Sequence, residues 1–271
     1  MTDAKSWKDT WGKIDWQKGK AEDIKRQVGD LIASGADVNA KNEQRETPLM
    51  WASCQDNPEI VRSLIEQGAE VNVKDNAGQT ALFYASLNGS EKVAQTLIEH
   101  GADVHLRDEF GYTVLMDAAF SENAKLVQLF IEKGVDVNAK NDYDWTALMF
   151  ASSANDGAAC MEMVKSLLNH GADVNAQSGG SSTPLTEVCK KGHKAVAHLL
   201  IEHGADVNAE DKETALREAK NISGNDAVIQ LPEKGAKNAG RGLVKKLKGM
   251  HKNDKKGEQS TLLHKKAREG R

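Results

Sequence analysis

The chain has 271 residues, a formal net charge of −4, and 39% hydrophobic, 28% charged and only 5% aromatic side chains. That balance suits a polar, helix-rich chain with a thin core and disfavours a membrane protein, and no apolar run approaches the ~18 residues needed to span a bilayer. Charge is uneven: residues 236–271 hold 12 Lys/Arg against 3 Asp/Glu, leaving 24 against 37 in residues 1–235, which puts a boundary near Ala236 between an acidic folded part and a basic, solvated segment.

From the start of the chain, Met1 to Lys20 is polar, carries Trp7, Trp11 and Trp16, and lacks the apolar stretch of a secretory signal, so a cytoplasmic location is expected. Cys54, Cys160 and Cys189 are scattered with no CxxC pair; they read as reduced, mostly core thiols, with neither a disulfide framework nor a cysteine metal site implied. Val28, Leu31 and Ile32 before Gly35 supply the second helix of a starting repeat, and the three tryptophans are expected to cover the exposed end of the stack.

The string Gly-Ala-Asp-Val-Asn-Ala at 35–40 then returns from Gly68, Gly101, Gly134, Gly171 and Gly204, at steps of 33, 33, 33, 37 and 33 residues. A second string keeps step with it: Thr47-Pro48-Leu49 recurs at Thr80, Thr113, Thr146, Thr183 and Thr214. Threonine followed by a small residue or proline is helix-start chemistry, because the hydroxyl caps the first free amides and proline loses nothing at the first helical position. Counting back from each glycine, positions −8, −7, −4 and −3 are apolar (Ile60, Val61, Leu64 and Ile65 before Gly68), the stripe of a second helix. The glycine itself accepts the left-handed conformation that ends it.

These 33-residue units, with TPL-type helix starts and GADVNA-type ends, resemble ankyrin repeats across roughly residues 21–238. The resemblance implies an all-α, ankyrin-type solenoid of stacked helix-turn-helix repeats with β-hairpin-like fingers. It divides the chain into an N-terminal capping segment (1–34), an array (35–238) of five full repeats from Thr47 plus a truncated C-terminal capping repeat, and a basic tail (239–271). Two departures stand out. The position three after the threonine, often His in the family, is Met50, Phe83, Met116, Met149, Thr186 and Arg217, so the imidazole hydrogen bonds must be replaced or absent. In the sixth repeat, Pro232 falls in the apolar slot before Gly235, which should stop the stacking.

No nucleophile elbow, phosphate-cradling loop, HExxH or paired metal ligands occur, so the chain is expected to be non-catalytic, with no cofactor, metal or small-molecule substrate. His100, His170 and His203 precede repeat glycines and read as helix C-caps rather than ligands, since side chains one repeat apart do not converge on one ion. Partner binding carries the sharper signal. In the family, the residue four after the threonine, the one before it and the loop ahead of it face the concave, partner-accessible side. Here those slots hold Trp51, Tyr84 and Phe150, Tyr112 and Trp145, and Phe110 and Tyr143: 7 of the 13 aromatic residues. Tyr and Trp dominate binding energy at interfaces. The competing reading, that the rings pack between fingers and stiffen the stack, is countered by their concentration on repeats two to four. Asp117, Glu109, Asp142 and Asp144 lie among them, pointing to a monomeric scaffold for a protein with a basic, partly apolar surface.

Two further segments carry expectations. The four extra residues between Thr146 and Gly171, around Ser152 to Met161, are rich in Ala and Gly and read as a lengthened inter-helix loop, with Cys160 in or beside it and open to solvent. In the tail, Leu243, Val244, Leu247 and Met250 with Lys245, Lys246 and Lys248 form a short basic amphipathic pattern. It supports an alternative function, a regulator or host-directed effector whose tail binds anionic lipid, nucleic acid or calmodulin. Gly240, Gly242 and Gly249 weigh towards a plain solvated tail.

Overall fold

The computed structural model describes residues 7–16 and 19–207. The threonine string at 214, Pro232 and the basic tail with its amphipathic pattern lie outside the described residues. Within them the chain forms eleven α-helices and two short 3₁₀ turns, Trp7–Asp9 and Trp11–Lys13. The only extended pairing among the described residues is an isolated bridge between Arg107 and Thr113, so the fingers are stacked turns rather than strand ladders. Two compact units divide between Asp142 and Tyr143.

The N-terminal unit holds α1 (Ala21–Ala33) and the pairs α2/α3 (Pro48–Ser53, Pro58–Glu66), α4/α5 (Ala81–Leu87, Glu91–Glu99) and α6/α7 (Val114–Phe120, Ala124–Glu132). First helices pack on first helices, α2 on α4 on α6, and second on second, α3 on α5 on α7. The C-terminal unit repeats that arrangement with α8/α9 (Ala147–Ser152, Gly157–Asn169) and α10/α11 (Pro184–Lys191, Lys194–Glu202). This is the all-α solenoid packing that the repeats imply. In both, the apolar stripe of the second helices is buried, as with Ile60, Val61 and Leu64 in α3 or Met163, Val164 and Leu167 in α9.

The helix boundaries follow from local chemistry. The hydroxyls of Thr47, Thr113, Thr146 and Thr183 accept from the backbone N–H three residues on, at 3.3–3.4 Å. Second helices start on Asn57, Asn123 and Asp156, whose side-chain oxygens accept from amides of the first turn. They end where the N–H of the alanine or valine after the glycine closes back onto a carbonyl five residues earlier, as Ala69 does on Leu64 and Val135 on Phe130. The positive φ of Gly68, +90°, permits that closure.

Two expectations are corrected. The four extra residues lie in α9, which runs for 13 residues where α3, α5, α7 and α11 run for 9. Asp156 caps it by accepting from Ala158 N–H at 2.8 Å, the alanines propagate it, and Cys160 extends its apolar stripe by one turn. Cys160 is therefore fully buried rather than open to solvent. At the other end, Trp11 is 0% exposed and Trp16 4% exposed. Trp11 Nε1 donates to Asp37 O at 2.8 Å, and the Gln55 amide donates to Trp16 O. The indoles thus pack where α1 and the first finger would otherwise end in solvent.

One of the described threonine caps is defective. Thr80 is 1% exposed, yet its hydroxyl takes no bond from the α4 amides and has no partner. Thr113→Val should lower unfolding free energy by about 1 kcal/mol, whereas Thr80→Val, removing a buried hydroxyl with nothing to bond, should leave it unchanged or raise it. Urea melts of the two variants beside the parent check the contrast.

Candidate functional site

The surface in question is built from fingers and first helices, and each finger is shaped by one acceptor side chain. In the first three, Asn42, Asp75 and Asp108 each accept two backbone amides through Oδ1, from residues two and four positions on, at 2.8–3.0 Å. Neighbouring fingers are then tied by backbone bonds one repeat apart: Asn76 N–H to Gln44 O, Glu109 N–H to Ala77 O, Asp142 N–H to Phe110 O. In the C-terminal unit Gly179 N–H does the same to Tyr143 O, and Ser178 Oγ accepts from Ser182 N–H. Below the tips, Asn39 and Asn72 each donate to the glycine carbonyl of the next repeat and accept its Glu70 or Asp103 amide, all at 2.8–2.9 Å.

On this frame the N-terminal unit gathers an acid–aromatic cluster. The half-buried Tyr84 hydroxyl lies 2.9 Å from Glu46 Oε1 and 2.8 Å from Asp75 Oδ2. The other Glu46 oxygen accepts from the half-buried Trp51 indole at 3.2 Å and from Asn42 Nδ2 at 2.6 Å. Burial, reinforced by the Asp75 and Glu46 charges, pushes the Tyr84 phenol well above its ordinary range, so it keeps its single proton between two acceptors. Cys54, nearby in chain, has its thiol pushed up to about 12 by desolvation and secondarily by Glu46, which makes it an inert thiol.

The other expected residues divide by depth. Phe110 is half-buried at its fingertip, and so are Tyr143 and Trp145 in the C-terminal unit. Tyr112 (4% exposed), Asp117 (1%) and Phe150 (5%) are buried, which corrects the expectation that all seven rings face solvent. Tyr112 is clamped at both backbone groups by Asp108, N–H to Oδ1 and C=O to N–H. Phe150 lies beneath Trp145, ring centroids 4.9 Å apart and tilted 47°. Residue-type reasoning missed Glu46 and Asp75; for Asp75 the signal was its period, since Asn42, Asp75 and Asp108 stand 33 apart as turn acceptors, whereas the slot of Glu46 holds Gln79 and Tyr112 in the next repeats.

A family model described as ankyrin repeats matches three times, over residues 20–108, 103–178 and 153–241, most of the chain. The chain belongs to the ankyrin-repeat family. No curated protein matches it. Ankyrin repeats generally mediate protein–protein interaction, and among the described residues no helix is long and apolar enough to cross a membrane.

Within this ankyrin-repeat chain the position that often carries histidine is handled in three ways. Thr186 replaces the imidazole, its Oγ1 accepting from Thr183 N–H and donating to Thr183 O, both at 2.8 Å. Met50 offers its sulfur to Thr47 N–H at 3.3 Å, a weak acceptor. The Phe83 side chain offers nothing to Thr80. His100, His170 and His203 each bring Nδ1 within 2.7–2.8 Å of the carbonyl four residues earlier, the helix-capping role read from their position.

Asp117 is the least favourable group on this face. Burial, with the Asp108 charge second, raises its carboxyl well above the ordinary carboxylate range. A raised native pKa means the unfolded chain releases its proton first, so stability is whole below the unfolded value near ~3.9 and is lost as pH rises towards the native one. Asp117→Asn should therefore raise the urea midpoint at pH 7 and have little effect at pH 3.5; an equal shift at both pH values would contradict the assignment.

Proposed function

We propose that this chain is a non-catalytic scaffold that binds another protein reversibly through the concave side of the repeats, where fingers meet first helices. The observation that carries this reading is the Trp51–Glu46–Tyr84–Asp75 cluster. Two amphipathic rings, the residue type that concentrates binding energy, are locked to two carboxylates drawn from consecutive fingers. Phe110 adds apolar surface in the N-terminal unit, and Tyr143 and Trp145 do so in the C-terminal one.

Tyr112, Asp117 and Phe150 serve the same surface from beneath, by supporting the half-buried rings. With Glu109, Asp142 and Asp144 exposed among them, the surface suits a basic, partly apolar partner. In this reading residues 1–34 cap a monomeric array of residues 35–238, the tail of 239–271 is accessory, and the protein works in the cytoplasm without cofactor.

The test is affinity capture from native lysate with the intact chain beside a Trp51→Ala/Phe110→Ala/Trp145→Ala variant of equal helicity by circular dichroism. At more than about 1 kcal/mol for each truncated anchor, retention of the partner should fall at least ~100-fold and should weaken with added salt. Equal retention by both proteins would remove this face from the proposal.

A further inference from the structure

The finger layer of the C-terminal unit carries charge of one sign. Its described residues, 143–146, 172–183 and 205–207, hold three carboxylates, Asp144, Asp173 and Asp206, and no lysine or arginine. All three acids are exposed. Asp144 forms no ion pair with a described residue, and it stands over bare backbone: a Cβ added at Gly179, on the next finger, would lie 3.7 Å from Asp144 Oδ2. The lysines of α10 are already engaged, Lys190 with the Glu187 carboxylate at 2.8 Å and Lys191 with Asn155 Oδ1 at 2.7 Å.

Apolar surface stands beside those charges. Tyr143 and Trp145 flank Asp144 in the chain and are half-buried, and Phe150 supports the Trp145 ring, centroids 4.9 Å apart. Half-open aromatic rings among unneutralised carboxylates suit a segment that mixes aliphatic and basic side chains. The fingers of the N-terminal unit are less selective, since Arg45, Lys74 and Arg107 are interleaved there with Asp75, Asp108 and Glu109. A segment of the matching kind is present in the same chain. Residues 239–271 hold 11 Lys/Arg against 3 Asp/Glu and no aromatic residue, with Leu243, Val244, Leu247 and Met250 set among Lys245, Lys246 and Lys248.

We propose that the face of Tyr143, Asp144 and Trp145 is occupied in cis by the chain's own basic segment around residues 243–250, its aliphatic side chains on the rings and its lysines towards Asp144 and Asp173, so that a partner has to displace it. Because face and segment belong to one chain, they meet at an effective concentration on the order of 1 mM, and a contact of only ~0.1 mM affinity keeps about nine chains in ten occupied. The consequence, displacement by a partner, rests on the concave-face reading; the contact itself needs no partner.

Limited trypsin digestion of the full chain, read by mass spectrometry with no partner present, tests the contact. Cleavage after Lys245, Lys246 and Lys248 should be about 10-fold slower than in a Trp145→Ala variant, because it follows the undocked fraction, and should quicken as salt is added. Where Trp145→Ala lowers helicity, Asp144→Asn/Asp173→Asn, isosteric changes at exposed positions, should still speed cleavage about 3-fold. Cleavage of the parent as fast as of both variants would overturn the proposal, and so would protection that is lost on dilution, which would seat the segment on a second copy of the chain. In lysate capture, a full chain with Lys245→Glu/Lys246→Glu/Lys248→Glu should retain several-fold more of the captured protein than the parent. Equal retention by the two would overturn the displacement, whereas capture of nothing by either would strike the concave-face reading and leave the protease result standing.

Discussion

A pair of helices of six and nine residues buries too little to stand alone, so everything in this chain depends on how one repeat is held to the next. The hold is an asparagine. Asn39, Asn72 and Asn175 each give an amide hydrogen to the glycine carbonyl one repeat on and take that repeat's finger amide in return. Two hydrogen bonds from one side chain, spanning 29 and 31 residues, fix both the distance and the rotation between neighbours. At about 0.5–1.5 kcal/mol each they add modest stability. Their larger effect is register, because a slipped repeat would lose both at once.

Register is what turns sequence slots into surfaces. Once each finger stands at a fixed offset from the next, Glu46 and Asp75 lie on either side of the Tyr84 hydroxyl, although 29 residues separate the two acids and 38 separate Glu46 from the tyrosine. The same offset sets Arg45, Lys74 and Arg107 around one groove. The acid–aromatic cluster and this fingertip row of mixed charge therefore share a cause, and they share Asp75, whose Oδ1 shapes its finger while its Oδ2 meets Tyr84. Turn chemistry and surface chemistry are carried here by a single carboxylate.

The repeat boundaries were legible in the sequence because they are local. A threonine hydroxyl reaches its own helix's third amide, and a glycine ends its own helix, whatever surrounds them. Depth was not legible, because it is set one repeat away. The minus-one and plus-four slots tell which side of a repeat a residue occupies, but Tyr112 is buried and Tyr84 half-buried according to what the adjoining finger supplies. The insertion misled for a different reason. Ala154, Gly157, Ala158 and Ala159 look like loop filler by composition, yet Asp156 is a helix cap and Cys160, Met163, Val164 and Leu167 continue one stripe. Periodicity outweighs residue size when the two disagree.

The local rules that the described residues break are spread along the repeats but avoid the second helices: non-glycine residues at positive φ stand at Arg45, Glu122, Asp144 and Ser181, and buried hydroxyls without a partner at Thr80 and Ser152, all in fingers, turns or first helices. Second helices keep their buried stripes and the positive-φ glycines that end them, although α5 and α11 start on Ser90 and His193 without a side-chain cap, so the stack's coherence comes from that side. In a one-dimensional stack stability sums over repeats and their neighbours, which lets one layer hold the register while the facing layer carries residues chosen on other grounds. A sequence selected only to fold would place asparagine rather than aspartate at the buried position 117. The cost of that carboxyl falls on the finger and first-helix layer, which the second helices hold in register.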